Sequence, residues 1–154
     1  MRIGITDTTF AQVDMAKCAI ETIRKEDSTV EIERYTVPGF KDLPVAAKKL
    51  IEEHNCDLVM AFGWAGGEQI DETCAVEANI ALMNAELATN KHILKVFVFQ
   101  RESKDPEELI GIARHRASSH AVNALAMLKG KEELTPRAGT GRRQGGEDRG
   151  SIEK

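Results

Sequence analysis

"VEIERYTVPGFKDLPVAAKKLIEEHNCDLVMAFG", Val30 to Gly63, reads as strand, bend, helix, strand. Val30–Thr36 and Asp57–Phe62 are short runs rich in apolar and β-branched residues, which suits buried strands. Between them Pro38-Gly39 marks a bend, and Val45, Lys48, Lys49, Leu50 and Ile51 carry helical spacing to about Asn55. Two strands joined by a helical crossover imply parallel neighbours and a right-handed connection.

The same unit recurs on both sides. Arg2–Thr6 and Ile93–Phe99 are the other predicted strands. Met15, Ala19, Ile20 and Ile23 share a face after Asp14, a suitable N-cap. Asp71–Thr89 forms a long helix, and Asp105-Pro106 opens another that runs to about Leu128. Four βα units predict an α/β three-layer sandwich: a four-stranded parallel sheet with helices on both faces, flavodoxin-like in architecture. Residues 1–128 form this single domain. Residues 129–154 make a polar Gly/Arg-rich tail, suited to an exposed or partner-dependent segment.

Composition narrows the function. A length of 154 residues fits one domain, and a net charge of -4 offers no basic stripe for nucleic acid. No apolar run reaches the roughly 18 residues of a membrane span, and Met1-Arg2 leads directly into Ile3-Gly4-Ile5, so a cytoplasmic home is expected. Cys18, Cys56 and Cys74 are odd in number and widely spaced, as expected of reduced, small hydrophobic residues.

In an open parallel sheet the ligand crevice lies beyond the carboxyl ends of the strands. The aromatic residues are one Trp, one Tyr and five Phe. Tyr35, Phe62, Phe97 and Phe99 fall in strands, whereas Phe10, Phe40 and Trp64 fall in three loops on that rim. The three rings either form a platform for a flat ligand or seal the top of the sheet. Gly63–Gly67 runs into Glu68 and Asp71, which would repel a phosphate at that helix start. An uncharged, hydrogen-bonding ring system suits such a rim. The third strand ends Ala61-Phe62-Gly63, without the Asp of a receiver domain, and Thr6–Phe10 lacks a flavodoxin glycine. His115 and His120 lie about 140° apart on a helix, too far round to share a metal.

The predicted third helix carries two apolar stripes. Val76, Ile80, Met83 and Leu87 are expected to pack on the sheet, and Ala75, Ala78, Leu82 and Ala85 to meet a neighbouring subunit. Homo-oligomerisation through this helix is the expectation.

"DTTFAQVDMA" (Asp7–Ala16), "VPGFKDLPVAAKKL" (Val37–Leu50), "CDLVMAFG" (Cys56–Gly63), "LATNKHI" (Leu87–Ile93) and "RQGGED" (Arg143–Asp148) together resemble the archaeal-type riboflavin synthases, relatives of lumazine synthase. The resemblance spans the chain and implies a lumazine synthase-like fold. It also implies conversion of two 6,7-dimethyl-8-ribityllumazine molecules into riboflavin and 5-amino-6-ribitylamino-pyrimidinedione by four-carbon transfer. A homopentamer with sites between subunits and a need for Mg2+ or another divalent cation are implied too; the metal site is unknown, and no organic cofactor is expected. Phe10 matches the ring that stacks on the heterocycle, and Asp42 a carboxylate that holds ribityl hydroxyls. Thr9, Pro38, Gly39, Phe40, Lys41, Leu43, Gly63, Trp64 and Arg116 complete the expected substrate site. His120, within an Arg-Ala-x-x-His pattern, and Asp71 and Glu77 are the acid–base candidates. The corresponding phosphate-binding positions of lumazine synthase look like Gly111 and Ser119, neither basic. A lumazine synthase and a non-catalytic flavin or lumazine carrier are the alternatives.

Overall fold

A computed structural model describes residues 1–153. The chain runs β1 (Arg2–Thr8), α1 (Met15–Glu26), β2 (Glu31–Val37), α2 (Leu43–Glu52), β3 (Leu58–Ala65), α3 (Gln69–Thr89), β4 (Ile93–Phe99) and α4 (Pro106–Lys129), with single helical turns at Phe40–Asp42, Gln100–Glu102 and Thr135–Arg137. All strand pairs are parallel and the order is β2-β1-β3-β4. The register pairs Thr8 with Val37 and Ala65 with Phe99, which brings the strand ends to one rim. Among the described residues no helix is long and apolar enough to cross a membrane.

Local chemistry starts α1 and α4 where the sequence suggests, while α3 begins at Gln69, two residues ahead of the expected Asp71. Asp14 accepts from the Lys17 amide at 2.9 Å, and Asp105 accepts from the Glu107 amide at 3.0 Å ahead of Pro106. Glu68 and Asp71 cap α3 reciprocally.

The sheet separates two cores. On one face Met15, Ala19 and Ile23 of α1 and Ala113, Ala117 and Ala121 of α4 cover Ile5, Met60, Phe62 and Val98. On the other, α2 and α3 cover Val59, Ala61, Ala65 and Ile93. β3, central and buried at every position, alternates between them.

Three expectations are corrected here. The α3 stripes are exchanged: Ala75, Ala78, Leu82 and Ala85 are buried, while Val76, Ile80, Met83 and Leu87 face solvent, Leu87 at 84 % exposure. The reason is volume. The β3 face beneath α3 presents Val59, Ala61, Gly63 and Ala65, so close approach requires small residues on the helix. Second, β3 continues to Ala65, and Trp64 is a strand residue paired with Val98 and only 1 % exposed, not a ring displayed on a loop. Third, Leu43 is fully buried in the α2–α3 core instead of lining a site.

Gly63 explains why the strand continues. A Cβ there would sit 2.0 Å from Cε1 of Phe40, so the glycine leaves the space that the Phe40 ring occupies. Phe40 is accordingly buried, edge-on to Phe97 with centroids 4.7 Å apart. Of the three rim rings, only Phe10 is displayed, at 52 % exposure.

Candidate functional site

Phe10 owes its position to a buried carboxylate at the end of β1. Asp7 accepts from Thr36 Oγ1 at 2.7 Å and from Arg34 Nη2 at 2.5 Å, and the same guanidinium nitrogen reaches Asp14 Oδ1 at 3.1 Å. One arginine thus ties β1, β2 and the start of α1 together around the Thr9–Val13 loop. Thr9 adds a bond from its amide to the Val37 carbonyl at 2.9 Å, and its hydroxyl donates to the Pro38 carbonyl at 3.4 Å.

Beside Phe10 opens a first cleft of about 350 Å³, lined by Pro38, Gly39, Phe40, Lys41, Asp42, Trp64, Asp71 and Cys74. Asp42 stands ahead of α2 without bonding to that helix's free amides, and its carboxylate makes no hydrogen bond among the described residues. Asp71 is partly committed: its Oδ2 accepts from the Glu68 amide at 3.1 Å. Lys41 pairs with Glu77 at 2.9 Å across the rim, and donating to that carboxylate raises the pKa of the Lys41 ammonium above its ordinary value.

A second cleft, of about 570 Å³, follows the unpaired edge of β4. Val76 and Asn79 of α3, Lys95, Phe97 and Phe99 of β4, Glu102, and Arg116 and His120 of α4 line it, closed by Arg143–Gly146 of the tail. Arg116 is fully engaged. Its guanidinium grips Glu102 through two bonds of 2.7 Å and donates to the Phe97 carbonyl at 2.8 Å. Burial pushes the Glu102 carboxyl up, but Arg116 and the Phe99 amide outweigh it and hold the group below the usual carboxylate range. His120 is 9 % exposed and its Nδ1 has no partner. Burial first, and the Arg116 charge second, lower its pKa to about 4, so the imidazole is neutral at ordinary pH.

The expected site residues therefore fall into two groups. Phe10, Pro38, Gly39, Phe40, Lys41, Asp42, Trp64 and Asp71 come together in the first cleft, and Arg116 and His120 in the second. Glu77 sits at the first rim, Thr9 braces the bend, and Gly63 lies under Phe40. No residue lines both clefts; the first turns of α3 stand between them.

The family model for 6,7-dimethyl-8-ribityllumazine synthase matches residues 1–132. Riboflavin synthase of Methanothermobacter thermautotrophicus is 50% identical over 152 residues, 99% of each chain. That of Archaeoglobus fulgidus is 46% identical over the full length of both chains, and that of Aeropyrum pernix 42% identical over 97% of each. The chain belongs to the lumazine synthase family, in its archaeal-type riboflavin synthase branch.

Within the family fold, sequence reasoning missed the second cleft's β4 wall and its closure by the tail. Lys95, Phe97 and Phe99 alternate along one face of an edge strand, and a lysine on such a face was the available signal. Lys95 is ion-paired with Glu86 of α3. Ser119 lines a groove on the other side of the tail wall with Arg137, Arg142 and Arg143, while Gly111 faces open space.

Proposed function

We infer that this chain is a riboflavin synthase, converting two 6,7-dimethyl-8-ribityllumazine molecules into riboflavin and 5-amino-6-ribitylamino-pyrimidinedione by four-carbon transfer. The observation that carries this is the run of full-length relatives of that name at 42% to 50% identity. The first cleft is chemically suited to one substrate: Phe10 offers an exposed ring to stack on the heterocycle, and Asp42 offers an unspent carboxylate to the ribityl hydroxyls. The substrate's 7-methyl group is acidic enough to form a stabilised carbanion, so the chain's main task is to hold two rings in reacting contact. Orientation of that kind lowers a barrier by about 7–11 kcal/mol. His120, neutral and with a free Nδ1, is the group able to take or hold a proton in the second cleft.

The two clefts of one subunit are kept apart by α3, and the exposed stripe Val76, Ile80, Met83 and Leu87 begins at the wall of the second. Homo-oligomerisation over that stripe, as a pentamer, would set the second cleft of one subunit against the first cleft of the next. The expected magnesium finds no cage: among the described residues no three His, Cys, Asp or Glu side chains converge. Such an ion is ordinarily held by one or two protein carboxylates with water and substrate.

The lumazine synthase reading draws on one observation, the presence of Arg137, Arg142 and Arg143 in the groove that Ser119 lines. One assay separates the two. Incubation with the lumazine alone, with and without magnesium, should yield riboflavin. Lumazine formed from the pyrimidinedione and dihydroxybutanone phosphate, with no riboflavin from lumazine, would assign the chain to the other activity. A carrier would return its ligand unchanged.

A further inference from the structure

The tail is bound to the domain by specific contacts. The Arg143 amide donates to Asp148 Oδ1 at 2.9 Å, and the Arg149 amide donates to the Gly141 carbonyl at 2.9 Å, closing a compact loop. Two residues at its apex then dock on α4. Asn123 Nδ2 donates to Gln144 Oε1 at 3.0 Å, and Arg116 Nη2 reaches the Gly145 carbonyl at 3.5 Å. Gly145 has φ +65, and a Cβ there would lie 2.5 Å from Cγ and 2.9 Å from Cβ of Arg116. The loop can lie this close to Arg116 only because that residue is glycine.

We propose that Arg143–Gly146 is a working wall of the second cleft, with Gly145 a positioning residue that holds Arg116 against Glu102 and keeps water from His120. This rests on the riboflavin synthase reading and deepens it, since it makes a segment outside the α/β domain part of the same site. The physical logic is a chain of contacts. Gly145 packs along the aliphatic stem of Arg116, and the guanidinium is thereby left to Glu102 and the Phe97 carbonyl. His120, one turn further along α4, lines the cleft that this wall borders, and its Nδ1 is buried without a partner. The charged groups that line the cleft with His120 are Lys95 of β4, Glu102, Arg116 of α4 and Arg143 of the tail, and Arg116 is the one whose charge acts on the imidazole. Lys95 is neutralised by Glu86 and Arg116 by Glu102, so exclusion of water is the main reason that the imidazole stays neutral. Removing the wall admits water and restores the basicity of an ordinary histidine.

The test compares the full chain with a form ending at Thr140, and Gly145→Asn with Gly139→Asn. Asparagine tolerates a left-handed backbone. Gly139 has φ +76 with nothing within 4 Å, so that pair isolates the Arg116 contact from backbone strain. Expected for both the truncation and Gly145→Asn are a retained circular dichroism spectrum, kcat lowered at least tenfold, and a His120 titration moved up from about 4 toward 6.5, read by NMR on substrate-free protein. Gly139→Asn should match the wild type in both readouts. The proposal is overturned if His120 titrates at the wild-type pH in the truncated form. If the titration moves but turnover from lumazine is unchanged, the wall exists but lines no site for this reaction, which overturns the shared reading. Should Gly145→Asn fail to fold, the truncation alone decides the question.

Discussion

The two clefts differ in how their polar groups are spent. In the first, the Asp42 carboxylate makes no hydrogen bond among the described residues and Phe10 is half exposed, so a ligand meets groups that are free to bind it. In the second, Arg116, Glu102 and the Phe97 carbonyl satisfy one another, and Lys95 is taken by Glu86; among the buried side-chain atoms that line it, His120 Nδ1 is left without a partner. The contrast shows that charge near a cavity is not the same as charge available to a substrate. One cleft is built to hold; the other is braced around a single neutral imidazole. The wall between them is α3, whose small side is buried and whose large side is bare.

The largest expected effect breaks that wall. Changing Ala78 and Ala85 to Glu places two unpaired charges in the α2–α3 core, at about 3–5 kcal/mol each. Native stabilities are about 5–15 kcal/mol, so circular dichroism should show an unfolded chain. Ile80→Glu with Met83→Glu alters only exposed positions that line neither cleft. That variant should stay folded, lose assembly in sedimentation, and lose turnover with it; full activity as a monomer would dissolve the shared-site arrangement.

His120→Gln sharpens the second cleft. Loss of a proton-handling group should lower kcat by about 10²–10⁴ with substrate affinity little changed. A wild-type kcat would leave His120 a buried bystander. Asp42→Ala does the converse in the first cleft. Removing a carboxylate acceptor should weaken lumazine binding by about 1–3 kcal/mol in a calorimetric titration, with the melting temperature unchanged.

The remaining effect is on stability against pH. Unfolded, His120 takes a proton near its ordinary 6.5; folded, only near 4. Between those values the unfolded chain binds more protons, so stability is complete above pH 6.5 and declines as the pH falls toward 4. Thermal melts over that range should show the decline, and His120→Gln should flatten it.

Much of the first cleft was legible because it lies on contiguous loops. Pro38 to Asp42 is one bend, and Phe10 follows the first strand directly. The second cleft draws one or two residues from each of α3, β4, α4 and the tail, and no local pattern joins positions as distant as Val76, Phe97, His120 and Gly145. Trp64 failed for another reason. Gly63 read as the end of a strand, although it is a strand residue whose missing side chain houses Phe40.

By itself the sequence determined the four βα units, their parallel pairing and the starts of the first and last helices, because periodicity and capping act within a few residues of chain. It also carried the family, through motifs spread over the whole length. Only the tertiary structure decided which stripe of α3 faces inward, since both are apolar and the choice depends on the volume of the β3 face beneath. It likewise decided that Trp64 is core, that Arg116 is occupied, and that the tail closes a cavity. Each is a contact between residues far apart in the chain, which folding alone brings within reach.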